Sequence, residues 1–235
     1  MIDEKELELS ERKIGTREPS ASCVVFDIDS IDKTFRDSAA IIENTLKNGR
    51  KLETEGKKDF AYDVYRFIVS SLESVFDYFL HCVIKLGFKE IFLEEREKTE
   101  RFKKFMIPMD VVTKLISDTA NPQPLLDYVN QKTAFETFLP YKAFKENMAL
   151  IDENLLKAVS NELYPDNPKN GLQKFIDDIY IRRNLIVHQD DRAHSTGVKK
   201  DISYAEVCKY KDSLFKVIEC MIKHLKKGTS VIEGN

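Results

Sequence analysis

Glycine and proline are scarce, with eight and seven residues in a chain of 235. Together they make about 6%, roughly half the average usage, and tight turns depend on those two residues. A turn-rich β-sandwich or barrel is therefore not expected. No apolar run approaches the roughly 20 residues needed to cross a bilayer. The opening stretch MIDEKELELSERKIG is acidic where a signal peptide is basic and then apolar, so a cytoplasmic chain with no membrane partner is expected. The cysteines, at 23, 82, 208 and 220, lack any CxxC pair and are too sparse for a secreted disulfide scaffold. Reduced thiols follow. Gly-rich phosphate loops, HExxH and GxSxG are all missing. A strong basic charge is missing too: the net charge is −3 and the pI about 5.9, which removes the simplest argument for a nucleic-acid partner.

What is present is a chain 42% hydrophobic and 33% charged, enough for a soluble globular core with a charged surface. The charge is unevenly placed. Residues 1–32 carry nine acids against four bases, whereas residues 192–227 carry nine bases against four acids. An acidic leader with a lysine-rich solvated helix explains this, and so does a basic surface for a polyanion.

Residues 1–28 lack helical periodicity and read as an acidic leader, apart from Cys23, Val24, Val25 and Phe26, which suit a short strand or a docking segment. From Asp29 or Ser30 as N-cap, Phe35, Ala39, Ile42 and Leu46 recur at helical spacing and stop at Gly49. A second helix is expected from about Asp59 to Leu86, before Gly87, with a broad apolar arc (Leu72, Val75, Phe76, Phe79, Leu80, Val83) suited to a bundle interior. Residues 94–104 look like a solvated helix or linker. Pro108, Pro122, Pro124 and Pro140 then punctuate three shorter helical patterns. After the turn-rich PDNPKNG, a helix runs from about Leu172 to His188, followed by a polar loop over 189–201. Ser203 with Glu206 forms a capping box for the last helix, which ends at Lys226, Lys227 and Gly228. The fold class is all-α: a bundle over 29–228 with an insertion of short helices at about 93–170, and a tail at 229–235.

The run Tyr180-Ile181-Arg182-Arg183-Asn184-Leu185-Ile186-Val187-His188 is the most informative. On a helical wheel, Leu172, Ile176, Ile179, Ile186 and Val187 define an apolar arc, and Arg183 falls inside it. A guanidinium so placed needs an anionic partner, either a protein carboxylate or a ligand phosphate. Asn184 and His188, four apart, share a face. Arg183 and His188, five apart, lie about 140° from each other, so they converge where the helix ends, where the long arginine reaches round, or across an interface between two copies.

The segment Arg183-Asn184-Leu185-Ile186-Val187-His188 resembles the motif of the HEPN superfamily, helical domains whose ribonuclease members carry Arg, a polar residue, several further residues and then His. A preceding core helix with Arg66-Phe67-Ile68-Val69-Ser70-Ser71-Leu72-Glu73 adds to the likeness, which covers about 59–92 and 171–227 and is similar to larger HEPN versions with helical insertions. The resemblance implies an HEPN-like bundle that cleaves RNA without a metal or other cofactor. It implies a site formed where two HEPN domains pair, either in a homodimer or with another HEPN chain. In that reading His188 is the general acid or base, Arg183 holds the phosphate and Asn184 positions, and Arg182 adds a further phosphate contact or is merely solvated. A toxin or antiviral defence effector is the expected setting, with RNA as substrate and an antitoxin or defence-complex partner. The alternatives are a non-catalytic HEPN dimerisation or RNA-binding module, or an unrelated helical regulatory protein.

Further candidates are weaker. Arg66, Ser70, Glu73, Asp77 and His81 form a polar stripe at helical spacing. Either Arg66 and Asp77 simply make surface pairs with their neighbours, or Glu73 reaches Arg183 or His188 and orients it. His194 reads as a solvated loop residue, and His81 and Cys82 as rim and core. Cys220 and His224, four apart, could supply two zinc ligands, but no second pair at ligand spacing exists, so no metal site is expected.

Overall fold

Side chains that accept from backbone amides open some helices of this chain, and a glycine in left-handed backbone follows the end of the first. The computed structural model describes residues 23–193 and 195–229. The leader before Cys23, His194, and the tail beyond residue 229 lie outside the described residues. Among the described residues there are eight α-helices and no strand, so the fold is all-α.

The first helix, α1 (Ile28–Thr54), begins two residues earlier than expected because Asp27 Oδ1 accepts from the Ser30 amide at 2.7 Å. It buries Ile31, Phe35, Ile42 and Leu46 and runs straight through Gly49. Gly49 is a packing residue: a Cβ there would stand 2.8 Å from the Tyr65 ring of the next helix. The turn comes at Gly56, whose φ of +82° suits glycine. The second helix, α2 (Lys58–Phe92), likewise passes Gly87, where a Cβ would meet Ile151 at 2.4 Å. Both glycines were read as helix ends in the sequence, and both are close approaches of a neighbouring side chain.

With 35 residues, α2 is about 52 Å long. It is long and apolar enough to cross a membrane by length and composition alone, a property that no continuous apolar run reveals, and 56% of its most apolar window is buried inside the protein.

Residues 94–104 form a mostly exposed connection that is anchored to the core at a few points. Arg96 is buried and its Nε meets Glu90 at 2.7 Å, while Phe102 and Phe105 pack on Phe88 with ring centroids 5.1 and 4.9 Å away. Four short helices follow: α3 (Met109–Ser117), α4 (Gln123–Thr133), α5 (Tyr141–Met148) and α6 (Leu155–Leu163). Prolines 108, 122 and 140 stand just before the first three. The fourth escaped the proline signal because Asp152 opens it, accepting from the amides of Asn154 and Leu155.

Then come α7 (Gly171–Gln189) and α8 (Tyr204–Thr229). Only half of the expected capping box forms. Ser203 Oγ accepts from the Glu206 amide at 3.2 Å, whereas the Glu206 carboxylate turns to Arg182 at 3.5 Å.

The short turn at 55–57 makes α1 and α2 an antiparallel pair. Against it pack α8, through Phe35 on Phe215 and Tyr65 beside Tyr204, and α7, along α2. The short helices lie on the same core: Phe144 of α5 stacks edge-on against Phe76 at 5.3 Å, and α6 packs on α8. Ahead of α1, Cys23 docks as a segment, not a strand. Its amide donates to Asp127 Oδ1 at 2.7 Å and its carbonyl accepts from Gln123 Nε2 at 2.9 Å.

Candidate active site

Helix α7 carries Tyr180, Arg182, Arg183, Asn184 and His188, and the way it ends decides where they point. Asp190 and Asp191 both take left-handed backbone, at φ +50° and +55°, a conformation that aspartate tolerates better than most residues. The amide of Asp191 donates to the Leu185 carbonyl at 2.9 Å, closing the helix within two residues of His188.

This turn drives the Asp191 carboxylate inward, where it is fully buried between two guanidinium groups. Oδ1 meets Arg182 Nη1 at 2.5 Å and Oδ2 meets Arg66 Nε at 2.8 Å. Arg182 also donates to the Asp201 carbonyl, and Arg66 to the Lys200 carbonyl. One carboxylate therefore joins α2, α7 and the approach to α8. Arg182, a solvated neighbour or an extra phosphate contact by sequence, is 7% exposed and ion-paired within the chain, although its Nε, 3.5 Å from Glu206, has no hydrogen-bond partner among the described residues. It is the arginine that turns to a protein carboxylate. The wheel pointed to Arg183 because its arc included Val187, which is 47% exposed. The buried side of α7 runs through Leu172, Ile176, Ile179 and Arg182 instead.

Arg183 is half-buried and lines an open cavity of about 500 Å³ together with Asn184, His188, Tyr180, Ser74, Asp77, Thr137 and Leu139. Arg183 Nη1 donates to Asn184 Oδ1 at 3.0 Å. Its Nε is buried with no hydrogen-bond partner, and it forms no ion pair among the described residues. His188 is exposed at the mouth and makes no hydrogen bond or ion pair among the described residues. The structure thus brings Arg183, Asn184 and His188 to one cleft within a single chain.

Glu73 lies behind this cleft, 1% exposed, with Oε2 lacking any hydrogen-bond partner among the described residues. Burial pushes its carboxyl up to about 8, although the Arg183 cation opposes the rise and the Asp77 carboxylate adds to it. Near neutral pH Glu73 is therefore mostly protonated. Asp77, also on the polar stripe, borders the cleft and holds its wall. Asp77 Oδ1 accepts from the Phe138 amide at 3.0 Å, and His81 stacks on the Phe138 ring at 4.3 Å.

Sequence reasoning missed Thr137, Leu139, Ser74 and Tyr180. The first two form a wall contributed by the segment between α4 and α5, and no spacing in the sequence connects them to His188. Part of the basic excess near the C-terminus is paired with acids of neighbouring helices. Lys211 pairs with Glu43, Lys226 with Asp29 and Asp32, and Lys223 with Glu162.

Among the described residues, the donors that lie close enough to share a cation are outside the cleft: Glu162, Cys220 and His224, whose ligand atoms all lie within 4.8 Å of one another. No family model, curated protein or solved structure matches this chain.

Proposed function

We propose that the cleft between α2, α7 and residues 137–139 is the site of a metal-independent endoribonuclease of HEPN type. The observation that carries this reading is the joint placement of Arg183, Asn184 and His188 on one open cavity while adjacent Arg182 is held by Asp191. An arginine without a carboxylate partner can receive a phosphate through parallel N–H···O bonds. Imidazole titrates near neutral pH and can take the proton of a ribose 2′-hydroxyl or give one to the leaving 5′-oxygen. As the 2′-oxygen attacks phosphorus, the P–O5′ bond breaks, and Arg183 balances the charge gathering on the phosphoryl oxygens. Asn184, bonded to Arg183, sets the direction of the guanidinium. DNA, without a 2′-hydroxyl, is not a substrate.

The site works as a pair of chains in this reading, and one exposed line supports that. Phe67 and Tyr78 are 63% and 50% exposed on the same side of α2 as Ser74, which borders the cleft. The setting is a toxin or defence effector. A non-catalytic pairing or RNA-binding module is the second reading, favoured by the lack, among the described residues, of any hydrogen-bond partner that fixes the His188 ring.

Labelled RNA incubated with the purified protein in EDTA tests the proposal. Cleavage is expected with wild type and should fall by at least about 100-fold in His188→Ala and Arg183→Ala, the low end for loss of a general acid–base group. Cleavage that survives both substitutions overturns the site, and complete dependence on an added divalent cation overturns the mechanism. Binding without cleavage by the wild type selects the second reading.

A further inference from the structure

The geometry points to a zinc site formed by Cys220 and His224 of α8 with Glu162 of α6, remote in sequence from the Arg183–His188 motif. Cys220 and His224 stand one helical turn apart and so project on the same side of α8. The third donor comes from 58 residues earlier in the chain, a distance that hides it from any spacing rule. It is brought in because α6 packs on α8. His224 Nε2 and Glu162 Oε2 are 3.1 Å apart, and the three ligand atoms lie within 4.8 Å of one another. Donors around a tetrahedral zinc ion, bound at 2.0–2.3 Å, stand about 3.6 Å from one another. The set closes on a cation through side-chain movements of about an ångström.

The donor chemistry selects the metal. A sulfur, an imidazole nitrogen and one carboxylate oxygen suit zinc, whereas magnesium and calcium take oxygen donors. The sulfur is buried and the other two donors face solvent in part, with Glu162 side-chain exposure of 38% and His224 of 24%. A cation therefore enters from the carboxylate side and meets the thiol at the bottom. Lys223 Nζ holds the other oxygen, Glu162 Oε1, at 2.7 Å. It fixes the carboxylate while leaving Oε2 for the metal, the arrangement expected of a residue that orients a ligand. Binding forms three bonds to the cation, and the Cys220 thiol proton leaves to solvent. Three protein donors leave the fourth position to water. The bound ion would fasten α6, the last helix of the insertion, to the final helix of the bundle.

The test uses the full chain, freed of metal by dialysis against EDTA and then titrated with Co(II) and Zn(II). One equivalent of Co(II) is expected, with a thiolate-to-cobalt charge-transfer band in the near ultraviolet, and Zn(II) should displace it and raise the melting temperature. Cys220→Ser should abolish the band, and His224→Gln should weaken zinc binding by about 100-fold or more, at least the loss that follows removal of a residue which only orients a ligand. His224 is partly exposed, so its variant decides the matter if Cys220→Ser fails to fold. Failure of the wild type to bind either metal, or equal uptake by wild type and His224→Gln, overturns the proposal. The readouts are metal uptake, absorbance and melting, so this result stands apart from RNA cleavage.

Discussion

Asp191 ties the end of α7 to α2. It lies in left-handed backbone, closes α7, and is the buried anion shared by Arg66 and Arg182. Asp191→Ala leaves buried Arg182 and part-buried Arg66 only their longer carboxylate contacts, to Glu206 and Asp63, and is expected to lower stability by about 3–5 kcal/mol, the range for breaking a buried pair. A urea midpoint measurement checks this, and a shift under about 1 kcal/mol would show that the pairs are weak. Glu73 provides a second measurement. Its native carboxyl titrates near 8 against an ordinary 4.5, so the native state holds a proton that the unfolded chain releases between those values. Stability is then highest below pH 4.5 as far as this group is concerned and falls as pH rises toward 8. Glu73→Gln should flatten that part of the pH–stability curve, and an unchanged slope between pH 5 and pH 8 would refute the assignment. Of the neighbouring arginines the helical wheel turned Arg183 inward, whereas the buried one is Arg182. The partner of Arg182 is fixed by a turn at 190–191 and by a contact with Arg66 far away in the chain, and neither leaves a periodic trace.

At the scale of elements, the apolar stripes of α1 and α2 and the start and stop signals of α7 and α8 were legible, the last two helices lying within about one residue of their expected bounds. The C-terminal ends of α1 and α2 were less so. Glycine marks a helix end where the chain needs left-handed backbone, as at Gly56, and marks nothing of the kind where a neighbour presses on the helix, as at Gly49 and Gly87. The two cases differ in backbone φ and in tertiary contact, neither of which the glycine itself announces. They also differ in the response to alanine. Gly87→Ala adds helix propensity of about 1 kcal/mol, but its methyl would stand 2.4 Å from Ile151 Cγ2 and 2.6 Å from its Cβ, an overlap that typically costs about 1–3 kcal/mol. A net loss of stability is expected in thermal melts, and a gain would mean that Ile151 moves aside freely.

Across the whole molecule, part of the basic charge of α8 is met at the surface by acids of α1. Acids of α1 and bases of α8 face each other in pairs such as Asp29 with Lys226 and Glu43 with Lys211. Surface pairs of this kind add little stability, about 0–1 kcal/mol each. Their larger effect is to lower the positive potential that the C-terminal sequence suggests. Composition could report the imbalance but not its partner, since helix adjacency is a property of the fold. The all-α class was legible from the shortage of turn residues and the long stripes. The cleft was half legible: its motif is local, and its opposite wall is not.

That division of the cleft between two stretches of chain has an evolutionary consequence. Arg183, Asn184 and His188 lie together on α7, whereas Thr137 and Leu139 belong to a separate segment held to α2 through the Phe138 amide and Asp77. Substitutions at 137 and 139 can reshape the opening while the three motif residues stay unchanged. What the cleft admits and what it does to its guest are free to diverge independently.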